Sequence, residues 1–215
     1  MKNFDGIIFD IDGTLTATHE LIFASFNHVS QKFFDKKMSN EEILSWFGPT
    51  EDVILKEWTK DKYETAREEY YNFYQSQHSS MADVFPGLAE TINLIKSKNI
   101  PLGIYTGKGK DSSFITLKEI DLLHQFDLII TGDDVAEHKP SPEGINLFVE
   151  KFNLNRDRVL MVGDAHVDVI AARDAGVKIA SVLWDSHYET EVLKLKPDYV
   201  FYDVVKFVSF IKSNL

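Results

Sequence analysis

Acids, hydroxyls and lysines recur just beyond short apolar runs in this 215-residue chain. Asp10, Asp12, Gly13 and Thr14 stand at the end of a run spanning 4–11, and Thr106, Gly107 and Lys108 at the end of a second. Thr131 and Asp133 close a third, with Lys139-Pro140 a little later. Gly163 and Asp164 close a fourth, and Asp168 follows one helical turn on. A lone Asp after a strand usually forms a turn or caps a helix. Four run ends that together supply several acids, a hydroxyl and a lysine are a different matter. Carboxylates gathered at one edge repel one another and need a cation to be tolerated. Hard oxygen donors of this kind suit magnesium, which completes its shell with waters and phosphate oxygens.

The elements that must position these residues follow from the apolar pattern. Residues 4–11 are short and apolar and predict a buried strand. From 19 to 78 no strand pattern occurs. Leu21, Ile22, Phe26, Val29 and Phe33 recur at helical spacing, and Ile54, Trp58, Tyr70, Tyr71, Phe73 and Tyr74 continue the apolar character. Three or four helices are expected here, with Ser39 capping one ahead of Glu42 and Pro49 marking a break. The aromatic run predicts packing among these helices, not a ligand box. Beyond Phe85 the pattern alternates. Strands are predicted at 102–106, 128–131, 159–162, 179–183 and 199–201. Helices are predicted from Pro86-Gly87 to about 96, at 110–120, 142–152 and 167–175, and at the C-terminus.

Strands alternating with helices predict an α/β fold, a Rossmann-like parallel sheet flanked by helices. Ligands in such sheets sit beyond the carboxyl ends of the strands, where the polar residues above are found. The helical stretch interrupts the alternation after the first strand. It predicts an inserted helical cap at 16–82, with 1–15 and 83–215 forming the catalytic core.

Lys plus Arg number 23 against 34 Asp plus Glu, a net charge of −11. So acidic a chain, without a long basic run, is a poor nucleic-acid binder. The absence of cysteine excludes disulfides, thiolate nucleophiles and cysteine zinc sites. The first ten residues do not form a signal peptide, and no stretch reaches the about 20 apolar residues of a membrane span. A cytoplasmic protein is expected, monomeric or homodimeric.

Taken in order, these motifs resemble the haloacid dehalogenase superfamily across nearly the whole chain. Asp10-Ile11-Asp12-Gly13-Thr14 is similar to its first motif and Thr106 to its second. Lys139 in Lys-Pro-Ser-Pro is similar to the third, and Gly163-Asp164-Ala165-His166-Val167-Asp168 to the fourth. The insertion resembles the small cap of the phosphoglycolate phosphatase-like and β-phosphoglucomutase-like branch. The resemblance implies a magnesium-dependent phosphatase acting on a small phosphorylated metabolite: a phosphoglycolate-like compound, a sugar phosphate or pyrophosphate. Asp10 is then the nucleophile that forms an aspartyl-phosphate. Asp12 is the acid and base. Thr106 and the amide of Gly107 hold phosphate oxygens, and Lys139 neutralises charge. Gly13, Thr14 and Lys108 border the substrate. Asp10, the Asp12 carbonyl and Asp164 bind the metal, and Asp168 holds it directly or through water.

Two departures stand out. Ala17-Thr18 replaces the Asp-Ser frequent after Gly-Thr-Leu, which bears on hinge contacts, and Gly107 replaces a frequent Asn. A sugar-phosphate mutase of the same branch is the alternative. Its early-cap His falls at Ile22 here, with His19 out of register. Dehalogenases of the family lack the second acid that Asp12 provides. A phospho-accepting signalling domain also uses Asp, magnesium, Thr and Lys, but lacks a large helical insertion and an acid two residues after the acceptor. His166 is expected to face solvent.

Overall fold

The computed structural model describes residues 3–215. Strands β1 (Gly6–Phe9), β2 (Leu102–Tyr105), β3 (Leu128–Ile130), β4 (Val159–Gly163), β5 (Lys178–Val182) and β6 (Tyr199–Phe201) form one sheet. All pairs are parallel, in the order β3-β2-β1-β4-β5-β6. The chain builds outward from β1 to β3 and then crosses back to β4 on the other side of β1. The order therefore reverses between β1 and β4, and the crevice beyond their carboxyl ends is where such sheets bind ligands.

Successive strand residues point to opposite faces, so each buried strand feeds two cores. Ile7, Phe9, Leu160 and Val162 pack with α5 (Leu88–Ser97) and α10 (Val204–Asn214) on one face. Ile8, Tyr105, Met161 and Ile179 pack with α7 (Glu143–Phe152) and α8 (His166–Asp174) on the other. Burial on both faces is why β1 and β4 read as continuous apolar runs. α6 (Lys110–Glu119) follows the carboxyl end of β2. The first strand is shorter than the 4–11 run, because the chain leaves the ladder after Phe9. A short helix, α9 (Glu189–Lys194), has no counterpart in the sequence reading. It buries only Val192 and so carries no apolar stripe.

Residues between β1 and β2 form α1 (His19–Phe34), α2 (Asn40–Leu44), α3 (Glu51–Thr59) and α4 (Tyr63–Met81). They share a third core in which Leu21, Phe26, Val29, Leu55, Tyr70 and Tyr74 are buried. The ring of Phe26 lies 4.9 Å from that of Tyr70. Ser39 caps α2 as expected. Its side chain accepts from Glu42 N at 3.2 Å and its own N–H donates to Glu42 Oε2 at 2.8 Å. The chain enters and leaves this helical block side by side. Ala17 N–H donates to Asp83 O at 2.9 Å, and Phe85 N–H to Leu15 O at 3.0 Å.

Tyr70 is fully buried and its hydroxyl has no partner among the described residues. Burial raises its pKa well above the ordinary 10. An unmade buried hydrogen bond is unfavourable by about 1–3 kcal/mol, whereas an isosteric apolar group is tolerated. Tyr70→Phe is therefore expected to leave the denaturation midpoint unchanged or raise it. A loss above about 1 kcal/mol would mean that the hydroxyl is satisfied in solution.

Candidate active site

Asp10 and Asp12 stand beyond the end of β1 and take different partners. Asp10 Oδ1 accepts Ile11 N–H at 2.8 Å, while its Oδ2 lies 3.2 Å from Lys139 Nζ. Asp12 Oδ1 accepts the Thr18 hydroxyl at 2.5 Å and lies 3.3 Å from Lys108 Nζ. Gly13 provides the turn between them and α1. Its φ is +70°, and a Cβ there would meet Asp164 Oδ2 and His19 Cε1, each at 2.8 Å. Thr14 donates to Asp164 Oδ1 at 3.1 Å. Neither Gly13 nor Thr14 lines the cavity above these acids; Thr14 orients a carboxylate instead.

Lys139 reaches the same place from the segment before α7. Its ammonium bridges Asp10 to Asp168, whose Oδ1 is 2.6 Å away, and rests 5.1 Å over the Tyr105 ring. Asp168 Oδ2 accepts Ala165 N–H at 3.0 Å, folding the first turn of α8 back onto β4. Gly163 permits that approach, since a Cβ there would lie 2.3 Å from Asp168 Cγ. Thr106 follows β2 directly, and its Oγ1 accepts Lys108 N–H at 3.3 Å. Asp10, Asp12, Thr106, Gly107, Lys108, Lys139 and Asp164 all border one cavity of about 260 Å³. Thr131 and Asp133 do not border it. They are held by Asp134, and by Thr50 and Lys110 N–H, respectively.

The electrostatics of this cluster are unbalanced. Asp10, Asp164 and Asp168 each offer an oxygen within 4.8 Å of the others. Burial, then repulsion from Asp168 and Asp10, pushes Asp164 far above the usual carboxylate range. Burial likewise raises Asp168, against the pull of Lys139. Burial alone would lower Lys139, but Asp10 and Asp168 outweigh it and hold the ammonium charged. One ammonium thus faces three carboxylates, and Asp164 has no ion-pair partner of its own among the described residues. Such a donor set fits a hard divalent cation. The Asp12 carboxylate stands apart from this set, committed to Lys108 and Thr18.

The helical block closes over the site through a buried ion pair. Glu51, at the start of α3, sits 3.4 Å from Lys108 Nζ. It accepts Gly109 N–H and the Ser112 hydroxyl, each at 2.7 Å. Lys108 also lies 4.7 Å over the Tyr74 ring of α4. Burial would lower Lys108, but Asp12, Tyr74 and Glu51 together raise it. Ion pairs across α3, α4 and α6 continue outward, Arg67 bridging Asp52 and Asp111.

Several cavity residues had no signal in the sequence. Glu51, Tyr188 and the apolar residues Phe47 and Ile54 arrive from far along the chain. Ala17 stands where the expected hinge acid is missing, and Thr18, beside it, contacts Asp12 directly. His19 lines the cavity and bonds Asp185 Oδ2 at 3.1 Å. His166, expected to face solvent, also lines the cavity, with its Nδ1 buried and unpartnered among the described residues. It begins α8, and the turn that brings Asp168 back to Ala165 carries it inward.

A parallel sheet whose reversal point gathers acids, a lysine and a strand-end Thr beneath a helical cover is the arrangement of a phosphatase-type hydrolase. The chain belongs to the haloacid dehalogenase-like hydrolases, whose family model matches residues 7–182. It is similar to the pyrophosphatase PpaX of Bacillus pumilus (strain SAFR-032), with 32% identity over 194 residues, covering 90% of each chain. A predicted phosphoglycolate phosphatase from Haemophilus somnus 129PT superposes with a TM-score of 0.83 at 24% identity, over 96% of this chain and 99% of that one. A provisionally assigned β-phosphoglucomutase from Thermotoga maritima superposes at 0.78 with 25% identity, over 99% and 100%.

Two measurements follow from this geometry. Magnesium is expected to raise the thermal midpoint of the wild-type protein and to do so far less in Asp164→Asn. Without metal, that variant should match or exceed wild type, since it sheds a buried repelling charge. A metal-free Asp164→Asn protein less stable by more than about 1 kcal/mol would contradict the charge imbalance.

The second concerns Glu51. Burial alone would raise its pKa, but Lys108 and the bonds from Ser112 and Gly109 hold it below the ordinary 4.5. An acid depressed in the folded state stabilises above its ordinary value and loses that contribution as pH falls through the depressed one. Glu51→Gln is expected to lower stability by about 3–5 kcal/mol at pH 7. The difference from wild type should shrink as pH falls below 4.5. Parallel stability profiles from pH 7 to 3 would show that the charge of Glu51 does not matter.

Proposed function

We propose that this chain is a magnesium-dependent phosphatase that hydrolyses a small phosphorylated metabolite through an aspartyl-phosphate on Asp10. The observation that carries this is Lys139 bridging Asp10 and Asp168 while Asp12, two residues on, is held by separate partners. One acid is thereby set beside the charge of Lys139, and the other takes Lys108 and Thr18 instead.

In the first step an Asp10 oxygen attacks phosphorus, and the bond from phosphorus to the leaving oxygen breaks. Asp12, protonated, gives its proton to that oxygen. In the second step Asp12 takes a proton from water, whose oxygen attacks phosphorus as the bond to Asp10 breaks. Thr106 and the amide of Gly107 hold the non-bridging oxygens, and Lys139 offsets the negative charge that Asp10 and the phosphoryl group bring together. Asp10, Asp164, Asp168 and the carbonyl of Asp12 would hold a magnesium ion, which would supply the remaining neutralisation. Thr14 orients Asp164 for that task, and Gly13 lets the two approach.

We further read residues 16–82 as a cap that opens and closes on the core formed by 1–15 and 83–215. Its separate core and its entry and exit segments, hydrogen-bonded side by side, support this. Closure excludes water other than the reacting molecule. No helix among the described residues is long and apolar enough to cross a membrane. We place the enzyme in the cytoplasm, as a monomer or homodimer, and the net charge of −11 favours a small metabolite over nucleic acid.

Acid-trapping with an activated aryl phosphate tests the assignment. Asp10→Asn should form no phosphoenzyme. Asp12→Asn should accumulate it, because an aryl leaving group needs little protonation while hydrolysis still needs the base. Near-wild-type turnover by Asp10→Asn would refute the nucleophile. Lys139→Ala should lower kcat by roughly 10²–10³-fold and alter KM much less.

A further inference from the structure

The cavity has two unlike halves. Its floor carries the acids, Thr106 and Lys139. Its roof, contributed by α1, α3 and the segment between α2 and α3, presents Ile22, Phe26, Phe47 and Ile54. The lysines that reach it are already matched. Lys139 is shared by Asp10 and Asp168. Lys108 is held between Asp12, Glu51 and the face of Tyr74, with its side chain 1% exposed. His19 is bonded to Asp185. His166 lines the cavity at the start of α8, two residues from Asp164, and its Nδ1 is unpartnered among the described residues. Among the described residues, no Lys or Arg is left for a second anion under the roof.

A charged leaving group placed there would lose its water against apolar side chains and find no partner, a severe penalty. An uncharged one with C–H surface would gain by the same burial. The volume sets a ceiling too: about 260 Å³ is below the range of roughly 300–1,000 Å³ that houses drug-sized ligands. The grip on Asp12 agrees with this. An ordinary alcohol leaves poorly unless it is protonated as its bond to phosphorus breaks. Thr18 and Lys108 fix the acid that would supply that proton.

We propose that the substrate is the phosphate monoester of an uncharged alcohol, of sugar size or smaller, whose C–H surface seats on Ile22, Phe26, Phe47 and Ile54. Pyrophosphate and phosphorylated acids are then disfavoured at this site, although similar proteins are named pyrophosphatases. The inference rests on the phosphatase reading above and narrows it.

The test compares kcat/KM, with magnesium, for two pairs of compounds. Phosphoglycolate is set against its carboxamide isostere, which differs only in the charge of the leaving group. Pyrophosphate is set against butyl phosphate. The carboxamide should exceed phosphoglycolate by at least about tenfold. Butyl phosphate should exceed pyrophosphate in spite of its poorer leaving group. Phe47→Lys, at a partly exposed roof position, should shrink both ratios by about tenfold, while Phe47→Leu should keep them. A wild-type preference for the charged member of either pair overturns the inference and leaves the phosphatase reading standing. So does a Phe47→Lys protein with unchanged ratios. If none of the four releases phosphate in a manner abolished by Asp10→Asn, the phosphatase reading fails and this inference fails with it.

Discussion

Three carboxylates within reach of one another, two of them buried and the third bordering the cavity, are the constraint on which this structure turns. Asp10, Asp164 and Asp168 come from the ends of β1 and β4 and the first turn of α8, the two strands between which the sheet reverses. Like charges at this spacing repel strongly where solvent is excluded. The fold meets that repulsion only in part. Lys139 neutralises Asp10 and Asp168, and Thr14 and the backbone of Ala165 satisfy individual oxygens. Asp164 stays in excess, its pKa driven up by burial and by its neighbours. A protein has no reason of stability to keep such a group. The imbalance has a use only if a cation and an anionic ligand complete it.

The same economy governs the contact between cap and core. Lys108 could serve substrate, yet it is buried between an acid of the core and an acid of the cap. Asp12 is thereby tied to Glu51 through one ammonium. Asp12 also receives the Thr18 hydroxyl from the linker that leads into α1. Two of its contacts therefore depend on where the helical block sits. A displaced cap would release Lys108 from Glu51 and shift Thr18, and the acid would lose its fixed direction. In the closure proposed above, readiness of the site and coverage of it become one event, which is how a closing domain commits a substrate.

How much of this could be read in the sequence depended on range. The strands of the sheet centre are apolar on both faces, so β1, β2 and β4 were visible as runs, and the acids beyond them as candidates. Ser39 and Glu42 announced their own helix cap. Local pattern could not reveal α9, which buries one residue. Nor could it reveal Glu51, whose partners Lys108, Gly109 and Ser112 lie more than fifty residues away. His166 failed for a subtler reason. Its position in the motif predicts solvent, but the bond from Ala165 N–H to Asp168 turns the helix start inward over the cavity. The departure at Ala17-Thr18 pointed to altered hinge contacts: no acid stands at Ala17, and the hydroxyl of Thr18 beside it donates to Asp12.

These constraints together bear on where selectivity can reside. Every ionised lysine at the cavity is consumed in holding the acids, so the floor can recognise a phosphoryl group but little else. Discrimination among phosphorylated compounds must then come from the roof, and the roof is built from the same side chains that form the helical core. Phe26 is both a wall of the cavity and the ring against which Tyr70 packs. Ile22 and Ile54 are likewise buried in that core. Changing the substrate by altering these residues would disturb the packing of α1, α3 and α4. Phe47 differs: it borders the cavity but is only partly buried and lies in the segment between α2 and α3. A change of specificity at constant stability therefore has its easiest route through that segment, where a new side chain meets the leaving group without opening a gap in a close-packed core.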